Sequence, residues 1–164
     1  MKNRFLFMAL AAAVLAFAAC TEKENVNTGD DTPEVPQHNS LYQTTWAGTS
    51  QQTVSVPILG SVTVTVDNTV NFTDDSAATS YVNIVAGSLV SLDSTLQCTY
   101  TWNDPNGVLS AVDNPQMNTA FTKVSDNTIN ITIHKTDMTA MWPAMGIVSD
   151  YLPESFSINL IKQE

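Results

Sequence analysis

In a β-strand, successive side chains point to opposite faces, so a strand with one wet and one buried face alternates polar and apolar residues. From residue 53 onward this chain does little else. Val54, Val56 and Ile58 alternate with Thr53, Ser55 and Pro57, and after Gly60 the pattern resumes with Val62, Val64 and Val66 set against Ser61, Thr63 and Thr65. The two runs predict a hairpin turning near Leu59-Gly60, with Pro57 marking an edge or bulge. Asp67-Asn68 reads as the next turn, ahead of a strand opened by Val70 and Phe72, and Asp74-Asp75-Ser76 reads as another. Ser80, Val82, Ile84 and Ala86 then share one face opposite Tyr81 and Val85. The clearest alternation is Leu96, Cys98, Tyr100 and Trp102 against Gln97, Thr99 and Thr101. It is closed by the turn formers Asn103-Asp104-Pro105-Asn106-Gly107 and answered by Val108 to Val112. Phe121 to Val124 and Ile129, Ile131 and Ile133 flank the turn Ser125-Asp126-Asn127, and Phe156, Ile158 and Leu160 form a last strand.

About nine short strands follow one another with turns between most of them. Parallel pairing needs crossovers of roughly a dozen residues or more, so the sheet must be antiparallel. The expected fold is all-β: an up-and-down barrel of about 8–9 strands, with a β-sandwich as the alternative. One stretch breaks the pattern. Thr136 to Leu152 carries Met138, Met141, Trp142, Met145, Ile147, Val148 and Tyr151. It reads as a short helical or irregular cap around Trp142-Pro143, since Pro suits a first helical turn. That much apolar surface is expected to pack across one barrel end, with Trp142 buried.

The N-terminal part has a different character. Met1-Lys2-Asn3-Arg4 is basic, and an uncharged apolar run extends from Phe5 to Ala19. As a helix it reaches only about 22 Å, short of the roughly 30 Å of a bilayer core. Basic start, apolar middle and small residues before a cut are the anatomy of a secretory signal. The run ends Leu15-Ala16-Phe17-Ala18-Ala19-Cys20, which resembles a lipobox, where the cysteine is lipidated before cleavage. A plain signal peptide cut after Ala19 is the alternative, but a cysteine at that position favours the lipobox. Residues 21–39 are rich in Pro, Gly and acids with two valines, too little apolar surface to offset the entropy of ordering. The expected organisation is a signal peptide at 1–19, a lipidated Cys20 with an acidic disordered linker to residue 40, and one domain at 41–164. Thr21 is not the Asp that retains many Gram-negative lipoproteins in the inner membrane. Glu22 and Glu24 resemble an acidic signal for export to the outer face. The localisation implied is the envelope of a Gram-negative bacterium, as an outer-membrane lipoprotein held to the membrane by Cys20.

Charge excludes one class of partner. Without residues 1–19 the chain has no arginine and four lysines against sixteen carboxylates, a formal net charge of −12. Phosphate backbones attract clustered Lys and Arg, so no nucleic-acid partner is expected. Motifs for catalysis are missing. The two histidines are His38 in the linker and His134 at a strand end, and there is neither a Gly-x-Ser-x-Gly elbow nor a phosphate-cradling glycine loop. Cys98 reads as a small buried apolar residue. Asp104 and Asn106 read as turn residues rather than a calcium loop. His134, Met138, Met141 and Met145 have thioether and imidazole groups that suit Cu(I), but an apolar cap explains the same spacing. No catalytic residue, metal or cofactor is expected.

Thr45-Trp46-Ala47-Gly48-Thr49, Val70-Asn71-Phe72, and Tyr100-x-Trp102 followed by Asn106-Gly107-x-Leu109 together resemble the lipocalin-like lipoproteins of Gram-negative gut bacteria, over most of residues 41–164. The resemblance implies a calycin-type barrel. With it, Trp46, Tyr100, Trp102, Met138, Met141, Trp142 and Met145 become the candidate residues for holding a small apolar molecule or a glycan. A role as a structural subunit binding another envelope protein is the alternative. Asp75-Ser76-Ala77 and Asp93-Ser94-Thr95 resemble acceptors of O-glycosylation in such bacteria, and both fall in expected turns.

Overall fold

The computed structural model describes residues 36–143 and 149–164. The expected signal peptide, Cys20, Met145 and most of the linker lie outside them.

Eight strands close into a barrel in simple chain order. The first four are long: β1 (Thr44–Val56), β2 (Gly60–Phe72), β3 (Ala77–Ala86) and β4 (Val90–Asn103). Shorter strands follow, β5 (Asn106–Ala111), β6 (Asn118–Ser125) and β7 (Thr128–His134). A helix of seven residues, α1 (Lys135–Met141), comes next, and β8 (Ser155–Lys162) completes the ring. Each strand pairs antiparallel with the one before it, and β8 also pairs with β1 through Trp46↔Lys162 and Ala47↔Ile161. That last pairing removes the sheet edges a sandwich would keep, so the barrel is the fold and the short cap precedes its last strand.

Alternation explains the interior. Along β2, Val62, Val64, Val66, Val70 and Phe72 are all buried while Thr63 and Asn71 are exposed. Closure needs β1 and β8 to approach closely at Gly48. A Cβ there would stand 2.2 Å from the backbone oxygen of Asn159, so only glycine fits.

Two expected turns are strand interior instead. Asp67-Asn68 lies within β2, where Asp67 pairs with Thr49 and Asn83, and Asn68 with Gly48 and Val82. Asn68 keeps phase with the inward valines, and a continuous two-sided ladder overrides its turn preference. Asp93-Ser94-Thr95 likewise lies inside β4, paired with Tyr81, Val82 and Asn83. The expected turn at Leu59-Gly60 is present, and Pro57 sits in it rather than in a strand.

The chain enters β1 at an end filled by aromatic rings. Phe72 meets Tyr100 edge-on at 4.8 Å between centroids, and Phe121 stacks on Trp102 at 5.6 Å with the planes 3° apart. Gly107 makes room for that stack, because a Cβ there would lie 2.2 Å from the Phe121 ring. Leu41, fully buried, joins the same core, and the compact unit begins at Gln37. The helix α1 lies at the opposite end, after β7.

Candidate functional site

The long and short strands are mismatched, and the mismatch makes an opening. Pairing between β4 and β5 runs from Asn103↔Asn106 to Cys98↔Ala111. One further bond, from Val112 N–H to the Gln97 carbonyl, ends it. Beyond lie Asp113-Asn114-Pro115, where Pro has no N–H to donate. Among the described residues, β4 from Val90 to Leu96 therefore has ladder partners only in β3.

Behind this gap is a cavity. Its enclosed volume is about 20 Å³, enough for roughly one water molecule, and it opens to solvent on one side. Apolar side chains from four strands, β3, β4, β5 and β7, make most of its wall. Met117, before β6, and Met141, at the end of α1, lie across it. Every lining residue is buried except Leu96 and Met141, which are half-buried. The mouth is thus the space between β4 and the end of α1.

The polar part of the wall is Asn68, Ser80 and Thr119. Asn68 is 1% exposed. Its Nδ2 donates to Ser80 Oγ at 3.1 Å and to the Tyr81 carbonyl at 3.2 Å. A carbonyl can only accept, so the amide cannot be turned the other way round. Both Nδ2 hydrogens are then committed, and Oδ1 has no partner. A buried acceptor left unpaired costs on the order of 1–3 kcal/mol, and such atoms are rare in folded proteins. Cys98 also lines the cavity. Burial pushes its thiol pKa up, which keeps it protonated and a poor nucleophile.

The residues singled out from sequence do not come together. Trp46 (with Nε1 donating to Thr44 Oγ1 at 2.8 Å), Tyr100 and Trp102 belong to the aromatic end of the core. The Tyr100 hydroxyl donates to the Asp74 carbonyl at 2.7 Å and accepts from Asn39 Nδ2 at 2.9 Å. Met138 is fully buried, and Trp142 is only half-buried against the core, so the expected burial of Trp142 falls to Met138 instead. Of the six candidates among the described residues, Met141 alone lines the cavity. His134 is exposed while Met138 is fully enclosed, which sets apart two of the four residues weighed for copper. Among the described residues no three of His, Cys, Asp and Glu come together as a metal site would need.

Asn68 was hidden behind its turn propensity. The signal that finds it is its phase: it occupies an inward position in the series Val62, Val64, Val66, Val70, Phe72. An amide at such a position must find partners inside the barrel. Comparison with protein-family models, curated proteins and solved structures gives no match to this chain.

Proposed function

We propose that this chain is a non-catalytic binding module for a small, mainly apolar molecule. In this reading it is an envelope lipoprotein tethered through Cys20 and related to the lipocalin-like lipoproteins of Gram-negative gut bacteria. The observation that carries the binding role is the cavity behind the β4–β5 gap, apolar except for a few converging polar groups. Ligand sites have that composition; the enclosed room of about 20 Å³ takes a group about the size of one water molecule, and the rest of a ligand would lie in the open mouth. The two methionines across the mouth suit an adaptable fit, since unbranched thioethers repack at low cost. Thermal unfolding in the presence of lipids, bile acids, haem and oligosaccharides tests the reading. An apolar compound should raise the midpoint, and Ala111→Val, which takes up the enclosed room, should abolish that rise. No stabilising compound in any class would overturn it. The tether is tested separately: Cys20→Ser should lose palmitate labelling and leave the membrane fraction.

A second reading, an interaction subunit of the envelope, has its own support. Ile58 is fully exposed at the β1–β2 tip with φ +73°, beside Leu59 at 51% exposure, and Leu89 at the β3–β4 tip is 41% exposed. A β-branched residue held in the left-handed region is strained, and apolar tips in water gain nothing for the isolated fold. If they dock on a defined envelope protein, Ile58→Asp should remove a cross-link that the wild type forms in intact cells. Retention of the same cross-link by the variant would rule the tips out.

A further inference from the structure

We propose that the cavity recognises a hydroxyl group carried on an apolar body, and that Asn68 and Ser80 read it as a pair. The inference rests on the binding-module reading and names the chemistry of its ligand. Asn68 offers the cavity an acceptor and no donor, because both Nδ2 hydrogens are already used by Ser80 Oγ and the Tyr81 carbonyl. Ser80 Oγ accepts from Asn68, so its own hydrogen is left to donate. The cavity wall therefore offers one acceptor, Asn68 Oδ1, and one donor, Ser80 Oγ–H, from two residues that are themselves hydrogen-bonded.

A hydroxyl matches that pair. It donates to Asn68 Oδ1 and accepts from Ser80 Oγ–H, which satisfies the one buried side-chain atom left without a partner among the described residues. A carboxylate does not match. It has no hydrogen for Oδ1, and its charge would enter an apolar wall that holds no cation. An ether accepts from Ser80 but leaves Oδ1 unpaired. Sites built around a buried hydrogen bond reject analogues that lack the group, because the protein atom is then stranded. The rest of the ligand would lie toward the mouth, between Leu96 and Met141.

The test uses the purified full chain with ¹³C-methyl methionine, titrated with 1-hexanol, its near-isostere 1-methoxypentane, and hexanoate. Met117 and Met141 report on the site, and Met138, enclosed in the core, serves as a reference. The alcohol should shift the Met117 and Met141 methyls with an affinity on the order of tenfold above the ether, the worth of one hydrogen bond. Hexanoate should bind more weakly than either. Asn68→Leu should bring the alcohol down to the ether's affinity, and Ser80→Ala should narrow the gap part-way. Alcohol and ether binding equally well to the wild type would overturn the hydroxyl assignment while leaving the binding module standing, with Oδ1 served by a trapped water. An alcohol preference that survives Asn68→Leu would also overturn it. If none of the three probes moves either methyl, hydroxyl recognition and the cavity as a site for small apolar ligands fall together. That comparison in the wild type needs no variant to fold.

Discussion

Gly48 lets the barrel close, and Asp75 clasps the chain that leads into it. Gly48 sits where β1 crosses β8, with the Asn159 backbone oxygen where a Cβ would be. The obstacle is backbone on both sides, so it cannot rotate away as a side chain could. Gly48→Ala should destabilise the protein by about 2 kcal/mol or more, read from a denaturant midpoint with unchanged slope. Asp75 acts outside the barrel. Its carboxylate accepts from the Asn39 backbone N–H at 2.9 Å and is 2.7 Å from His38 Nδ1. These bonds, that to His38 foremost, hold its pKa below the ordinary aspartate value. Asp74 is lowered in the same way by the backbone N–H groups of Ser76 and Ala77. A lowered carboxylate contributes stability that is whole above the unfolded-state pKa and is lost as pH falls through the folded one. The clasp on residues 38–39 should therefore persist at neutral pH and release only in acid, below the usual aspartate range near 3.8. Amide shifts of Asn39 and Asp75 followed from pH 6 to 2 would report it, and Asp75→Asn should remove the transition.

At the scale of elements, the helix α1 is held by one buried side chain. The helix α1 has seven residues, no side-chain N-cap bond, and Met138 as its one buried residue. A helix this short has little stability of its own, so packing keeps it in place. Met138→Ala should cost about 3 kcal/mol, whereas Trp142→Ala, removing a half-buried ring, should cost about half as much. Unfolding midpoints of the two variants decide the ranking, and a larger loss at Trp142 would reverse it. The gap above Cys98 is also a property of elements. It exists because β5 stops at Ala111 while β4 continues back to Val90.

For the whole molecule, closure makes stability collective. The strands at the two ends of the domain sequence, β1 and β8, are neighbours in the ring, so no strand can leave without opening it. The compact unit Gln37–Glu164, expressed without the preceding residues, should give a β-type circular dichroism spectrum and one cooperative unfolding transition. A helix-dominated spectrum would contradict the fold. Starting the chain at Leu41 should weaken it, because Asn39 would be lost from Tyr100 and Asp75.

Alternation alone determined the antiparallel order, the inward residues of β3, the inward apolar residues of β2 and those of β4 from Leu96 on, because a period of two leaves a half-buried strand one way to face. It also marked the cap, since Thr136 to Leu152 is the stretch where that period stops. What the sequence could not carry was anything set by strands far apart in the chain. Asp67-Asn68 has strong turn character by itself, and only pairing with β1 and β3 at once holds it extended and turns Asn68 inward. Trp46, Tyr100 and Trp102 have the chemistry of ligand contacts, yet the ring brings them to the filled end, where Tyr100 meets Phe72, Trp102 stacks on Phe121 and Trp46 is buried in the same core. The cavity comes from unequal strand lengths and from an amide whose partners lie 12 and 13 residues further along. Local propensity has no access to either, because both come into being only when the barrel closes.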